Sequence, residues 1–166
     1  MPVNREALPL GDGPRSVAQA RRWVVSICRD LGREDLVESA ELGVSELVTN
    51  ALLHGSPPIS VRVRGTWDHP RVEVYDGSAT PPVVTQQIPD HDELLPTFGR
   101  GLDIVAMVST AWGATRENAG KAVWFLPSEK PGDDGPPEGD LAGFELEGPS
   151  VAPPAEDDIC RVKVQG

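Results

Sequence analysis

Glu41-Leu-Gly-Val-Ser-Glu46-Leu-Val-Thr-Asn50-Ala-Leu-Leu-His54-Gly55 is the stretch whose reading decides the fold of this chain. Val44, Leu47, Val48 and Ala51 recur at three- and four-residue steps, the period of an amphipathic helix, and Gly55 with Pro57 and Pro58 behind it supplies the stop. Glu46, Asn50 and His54 follow at i, i+4 and i+8, so their side chains leave neighbouring turns on one stripe beside the buried face. Glu and Asn on a helix commonly make a solvated surface. Asn is a mediocre helix former, however, and one placed against a buried stripe calls for a reason. Phosphate chemistry offers one: Mg²⁺ takes oxygen ligands and is usually shared between one or two protein oxygens and the phosphates of a substrate. An Asn oxygen one turn from a proton-accepting Glu would serve a bound nucleotide.

Outward from this helix toward the N-terminus, a short strand is expected near Val3 to Leu8. Gly11-Asp12-Gly13-Pro14 then breaks the chain, with Pro14 suited to a first helical position. Val17, Ala20, Val24, Ile27 and Leu31 give the following helix a core-facing stripe, with Arg21, Arg22 and Arg29 outside and Gly32 as its end. Toward the C-terminus, Ile59, Val61 and Val63 alternate with Ser60, Arg62 and Arg64, and Val72 and Val74 alternate with Arg71, Glu73 and Tyr75. This predicts a hairpin turning around Asp68 to Pro70. Parity places Asp76 on the side of Val72 and Val74, facing the helices, where a carboxylate needs a partner.

From Gly77 to Phe98 no periodicity survives, and Pro81, Pro82, Pro89 and Pro96 interrupt any regular element. Loops beyond about 12 to 15 residues in a compact domain tend to be lids, binding loops or disorder, and we read a lid. It closes on Gly99-Arg100-Gly101, after which Leu102, Val105, Ala106 and Val108 indicate a short helix. Ser109 to Thr115 and Lys121 to Leu126 read as a second hairpin around Asn118 to Gly120, with Trp112 and Trp124 packing in its sheet.

With 166 residues, one domain and a tail are expected, at residues 1–128 and 129–166. The tail carries ten acidic and three basic side chains, −7 of the net charge of −11, and is rich in proline and glycine. Such a composition buries too little surface to offset its ordering entropy, so it should be mostly disordered, apart from a short strand suggested at Ile159 to Val164. The negative charge argues against nucleic acid, whose binding rests on Lys and Arg neutralising phosphates. Cys28 lies in an apolar helical pattern as a buried thiol, and with Cys160 makes no metal-ligand spacing; His69 and His91 make none either. With no secretory h-region and no apolar run of membrane-spanning length, a cytoplasmic protein without a membrane partner is expected.

Taken in order, Glu46 and Asn50 on a helix, an inward Asp76, a lid, Gly99-Arg100-Gly101 opening a helix, and Gly120-Lys121 entering a last strand resemble the four boxes of a known superfamily. It is the ATP-binding superfamily of gyrase, heat-shock chaperones, histidine kinases and mismatch-repair ATPases. Within it, residues 8 to 127 look like the small anti-sigma-factor serine kinases of bacterial regulatory switches. Glu46, Asn50, His54 and Gly55 match the family's N box residue for residue. The resemblance implies that Asn50 ligands the Mg²⁺ bridging the ATP phosphates and that Glu46 is the general base or orienter for the attacking hydroxyl, roles that suit phosphoryl transfer.

Asp76-Gly77 matches the start of the first glycine box, where the family's aspartate accepts a hydrogen bond from the adenine amino group. The chain then departs from the family's Asp-x-Gly-x-Gly, running Asp76-Gly77-Ser78-Ala79-Thr80. By resemblance Asp76 and Gly77 belong to the nucleotide site; the alternative for Asp76 is a strand-end carboxylate capping a turn. Gly99-Arg100-Gly101 resembles the second glycine box, and glycine amides at a helix start would face phosphate. Arg100 either contacts phosphate or is solvated, and Lys121 either belongs to the last box or is a strand-start charge. His54 caps or packs at the helix end.

The resemblance implies an α/β two-layer sandwich, a mixed, mostly antiparallel sheet with helices on one face. It further implies an ATP-dependent protein serine/threonine kinase that modifies an antagonist protein. A sigma factor and an anti-anti-sigma protein are the expected partners, and a homodimer is compatible with the family. The alternatives are a non-catalytic ATP-gated protein-binding module and an α/β interaction domain that takes no nucleotide.

Overall fold

The computed structural model describes residues 1–3, 5–80, 101–129 and 139–140. The two helical stripes of the sequence become α1 (Arg15–Asp30) and α2 (Val37–His54). α2 begins four residues ahead of the stretch quoted above, because Ala40 and Gly43 extend the buried stripe back by a turn and a 3-10 turn at Glu34–Leu36 leads into it. Val24, Val44 and Val48 are wholly buried between the helices and the sheet.

The alternating runs become β2 (Ile59–Gly65) and β3 (Pro70–Asp76), antiparallel, with Val61 opposite Val74 and Val63 opposite Val72. β1 (Leu8–Leu10) joins the free side of β2. It lies later than the strand expected at Val3 to Leu8: Leu8 and Leu10 alternate against the core on β2, while Val3 is buried in the core ahead of the strand, its amide donating to Gly65 O at 2.9 Å. After α3 (Gly101–Met107) come β4 (Ser109–Glu117) and β5 (Gly120–Pro127), joined through Asn118, whose φ of 52° an asparagine tolerates well.

β5 inserts between β3 and β4, so the sheet order is β1-β2-β3-β5-β4, and β6 (Gly139–Asp140) pairs in parallel at the outer side of β4. The sheet is mixed, mostly antiparallel, as expected, and the helices cover one face. β6 lies within the segment expected as a mostly disordered tail. Two of its residues join the sheet because Gly139, opposite Trp112, has no side chain to collide with the indole: a Cβ there would lie 2.4 Å from the ring. The strand suggested at Ile159 to Val164 lies outside the described residues.

Phe125 is the largest fully buried side chain, opposite Val72 and aimed at α2. Its ring reaches the helix axis because Gly43 leaves the space: a Cβ on Gly43 would stand 2.4 Å from Cζ of the ring. The opposite face of the sheet is charged. There Glu73, buried despite its carboxylate, accepts from Arg62, Arg64 and Arg71, and Arg62 continues to Glu117. The Arg71 guanidinium also lies 5.3 Å from the centre of the Trp124 ring. Both tryptophans therefore pack in the sheet, on opposite faces.

Candidate functional site

The end of α2, the end of β3 and the start of β5 converge on Asp76. The parity argument holds: Asp76 faces the helices, and its side chain is 3% exposed. It abuts the last turn of α2 at Gly55, where a Cβ would lie 2.6 Å from the Asp76 Cγ and 2.7 Å from Ala51 O. The chain leaving Asp76 is tied to the same place, since the Gly77 amide donates to Ser56 O at 2.6 Å.

The partner an inward carboxylate needs is Lys121, directly opposite in the ladder and only 6% exposed. Lys121 Nζ donates to Asp76 Oδ2 at 3.1 Å and to Oδ1 at 3.2 Å, and the Ser78 amide donates to Oδ1 at 2.8 Å. A longer contact of 3.5 Å joins Nζ to Ser78 O. Each buried charge is compensated by the other, which an isolated one in this position would not survive without neutralising.

Along α2, at 1.5 Å per residue, Asn50 lies about 7 to 8 Å back from Gly55 along the axis and Glu46 a further ~6 Å. Both are half-buried. Their neighbours are committed to the helix: Thr49 Oγ1 donates to Ser45 O and Ser45 Oγ to Glu41 O, each at 2.7 Å. Among the described residues, no hydrogen bond or ion pair engages the Glu46 carboxylate or the Asn50 amide. Burial alone raises the Glu46 pKa above its ordinary value, leaving a carboxylate more basic than a solvated one. Gly101 is the first residue of α3, and Gly99, Arg100 and the lid beyond Thr80 lie outside the described residues. His54 is exposed in the last turn of α2, His69 is exposed in the first hairpin, and His91 lies outside the described residues.

Sequence reasoning missed the direct pairing of Asp76 with Lys121 and the part played by Ser78. The signal was present, because Lys121 shares its parity with Val123 and Phe125, and a lysine in the inward register of a buried strand requires an acid across the ladder. The donor set suits a nucleotide. A buried acceptor–donor pair stands at one end of α2, and behind it stand an oxygen donor and a desolvated carboxylate that have no partner among the described residues. Among the described residues no cluster of three or more His, Cys, Asp or Glu side chains could hold a metal by itself. Mg²⁺ held jointly with phosphates needs only one or two protein oxygens, and Asn50 offers one.

No helix among the described residues is long and apolar enough to cross a membrane. A search of curated proteins finds no match to this chain. Residues 12–126 match the family model of the histidine kinase-like ATPase domain, a span that runs from the turn before α1 to the end of β5 and takes in Glu46, Asn50, Asp76 and Lys121. The chain therefore belongs to the histidine kinase-like ATPase superfamily and carries its ATP-binding domain.

Proposed function

We propose that the protein is an ATP-dependent serine/threonine kinase of the anti-sigma type, passing the γ-phosphate of ATP to a hydroxyl of an antagonist protein and holding a sigma factor as its second partner. The observation that carries this reading is Glu46: a half-buried carboxylate with its basicity raised by burial, one turn from Asn50 on the same stripe. Bound Mg-ATP supplies the activated phosphoryl group and neutralises its charge. Asn50 contributes the amide oxygen that holds the metal, and Asp76 accepts from the adenine amino group. Glu46 orients the incoming hydroxyl and takes its proton, a role that requires a carboxylate not already bonded within the protein.

The test is transfer of labelled phosphate from ATP to captured partner proteins, run beside direct ATP binding. Asn50→Ala should lose both Mg²⁺-dependent binding and transfer. Glu46→Ala should keep ATP affinity and lose about 10² to 10⁴ in transfer. One observation favours the second reading, an ATP-gated binding module: the Asp76 carboxylate is already shared with Lys121 and with Ser78, which stands where the family has a glycine two residues after its aspartate. Wild-type protein that binds ATP and labels none of its partners would select that module over the kinase.

A further inference from the structure

We propose that the arginine-bearing open face of the sheet is an interaction surface, and that its occupant is the chain's own acidic segment beyond β6, residues 141–158, docked through Phe144 to Glu147. The inference is independent of the nucleotide site. On β2, β3, β5 and β4 this face carries Arg62, Arg64 and Arg71 against Glu73 and Glu117, one positive charge in excess on a chain whose net charge is −11. Two side chains hold the excess. Arg62 is spent on Glu73 and Glu117, whereas Arg64 is 52% exposed and reaches Glu73 through Nε alone, at 3.5 Å. Arg71 is 37% exposed and gives Glu73 one terminal nitrogen, at 2.7 Å. A guanidinium has five N–H donors in a planar fork, so Arg64 and Arg71 each keep donors that Glu73 does not take and a further carboxylate can. Beside them Trp124, whose ring lies 5.3 Å from the Arg71 guanidinium, and Leu126 are only half-buried.

The occupant follows from where β6 delivers the chain. Asp140 pairs with Gly113, and Gly113 has Trp124 on its other side. A Cβ on Gly113 would stand 2.4 Å from Asp140 O and 2.8 Å from Trp124 Cζ2, so the acidic segment starts at the rim of this face, against its indole. Residues 141–158 then hold five acidic and no basic side chains. Strands lie about 4.8 Å apart, which puts β3 ~14 Å and β2 ~19 Å from β6 in the sheet order. At up to ~3.3 Å per residue, Glu145 reaches ~17 Å from Asp140 and Glu147 ~23 Å. Glu145 thus meets Arg71 and Glu147 meets Arg64, with Phe144 and Leu146 laid on Trp124 and Leu126. Exposed ion pairs are individually weak in water, but the tether holds these partners at millimolar effective concentration, where weak contacts suffice. A second copy set face to face would bring like-charged arginines together.

The experiment is paramagnetic broadening of nuclear resonances in the full chain. A nitroxide is attached at position 148 of Gly148→Cys/Cys160→Ser; Cys28 stays unlabelled, being buried with its thiol pushed up to about 11. At low salt the amide signals of Arg64 and Arg71 and the indole signal of Trp124 should lose intensity, while the amides of Leu42 and Leu53, exposed on α2, keep theirs. Salt at 1 M, where the screening length falls to about 3 Å, should restore the lost signals. Glu145→Lys/Glu147→Lys leaves every residue of the sheet in place and should abolish the broadening. Broadening shared equally by α2 and the open face overturns the proposal, as does broadening that the charge reversal leaves unaltered. Spin-labelled chain mixed with isotope-labelled chain that carries no nitroxide should broaden nothing; loss of the same signals there would mean docking between copies and would overturn occupancy by the chain's own segment.

Discussion

Glu46 shows at the scale of one residue how a functional group costs stability. Burial raises its pKa in the folded chain, so the ionised form is disfavoured there and the group stabilises the fold only while protonated. The sign follows: its contribution is fully present below the unfolded carboxylate range and is lost as pH rises through the folded pKa. Glu46→Gln, which cannot ionise, should therefore melt higher than wild type at pH 7, and the difference should close as pH falls to about 4. Phosphoryl transfer should move the opposite way, falling in the variant at every pH. Melting curves from pH 4 to 8 decide it; a variant no more stable at pH 7 would show that the carboxylate is not desolvated. The positions of Glu46 and Asn50 were legible from spacing alone, since a helical period fixes which turns share a stripe. The Asp76–Lys121 bond was less so, because pairing β3 with β5 across the intervening α3 and β4 is a fact of topology that neither strand's own residues declare.

At the scale of elements, α2 and β5 meet through a glycine in mid-helix. Helix propensity alone would make Gly43→Ala stabilising by about 1 kcal/mol. Here the added methyl would enter the ring of Phe125, which is 0% exposed between Val72, opposite it in the ladder, and the helix. A ring in that position cannot yield as the end of a flexible chain does, and overpacking of this kind costs about 1 to 3 kcal/mol. Gly43→Ala should accordingly lower the denaturant midpoint with an unchanged slope. A raised midpoint would mean that propensity outweighs the contact. On the other face of the sheet the Arg62 guanidinium holds the Glu117 carboxyl below its ordinary pKa by hydrogen bonding. That contribution is present above the unfolded carboxylate pKa and disappears as acid protonates Glu117 through its lowered value, the reverse of Glu46. Alternation in β2 and β3 announced this charged face. What it could not announce is that Glu73 is buried on it, a consequence of arginines converging from β2 and β3.

For the whole molecule, composition divides the chain at about residue 128, yet the structure keeps a few residues of the acidic segment in the fold. Glu129 accepts from Arg33 at 3.2 Å, and Arg33 also donates to Asp35 and to the carbonyls of Trp67 and Asp68, joining the α1–α2 turn, the first hairpin and the end of the sheet. Gly139–Asp140 then covers the outer side of β4 beside Trp112. Low apolar content hid this from the sequence, because Gly139 meets the indole by having no side chain at all. Truncation after Ser128 removes the exposed Arg33–Glu129 ion pair, of small value in water, and the strand beside a tryptophan that is only 5% exposed. We expect the truncated protein to fold and to melt about 2 to 6 °C lower, with its tryptophan emission shifted to the red. Gly139→Val in the full chain should reproduce much of that loss, since its branched side chain would collide with the Trp112 ring. If truncation leaves both the melting temperature and the emission unchanged, β6 contributes nothing to the fold, and the division drawn from composition alone is the correct one.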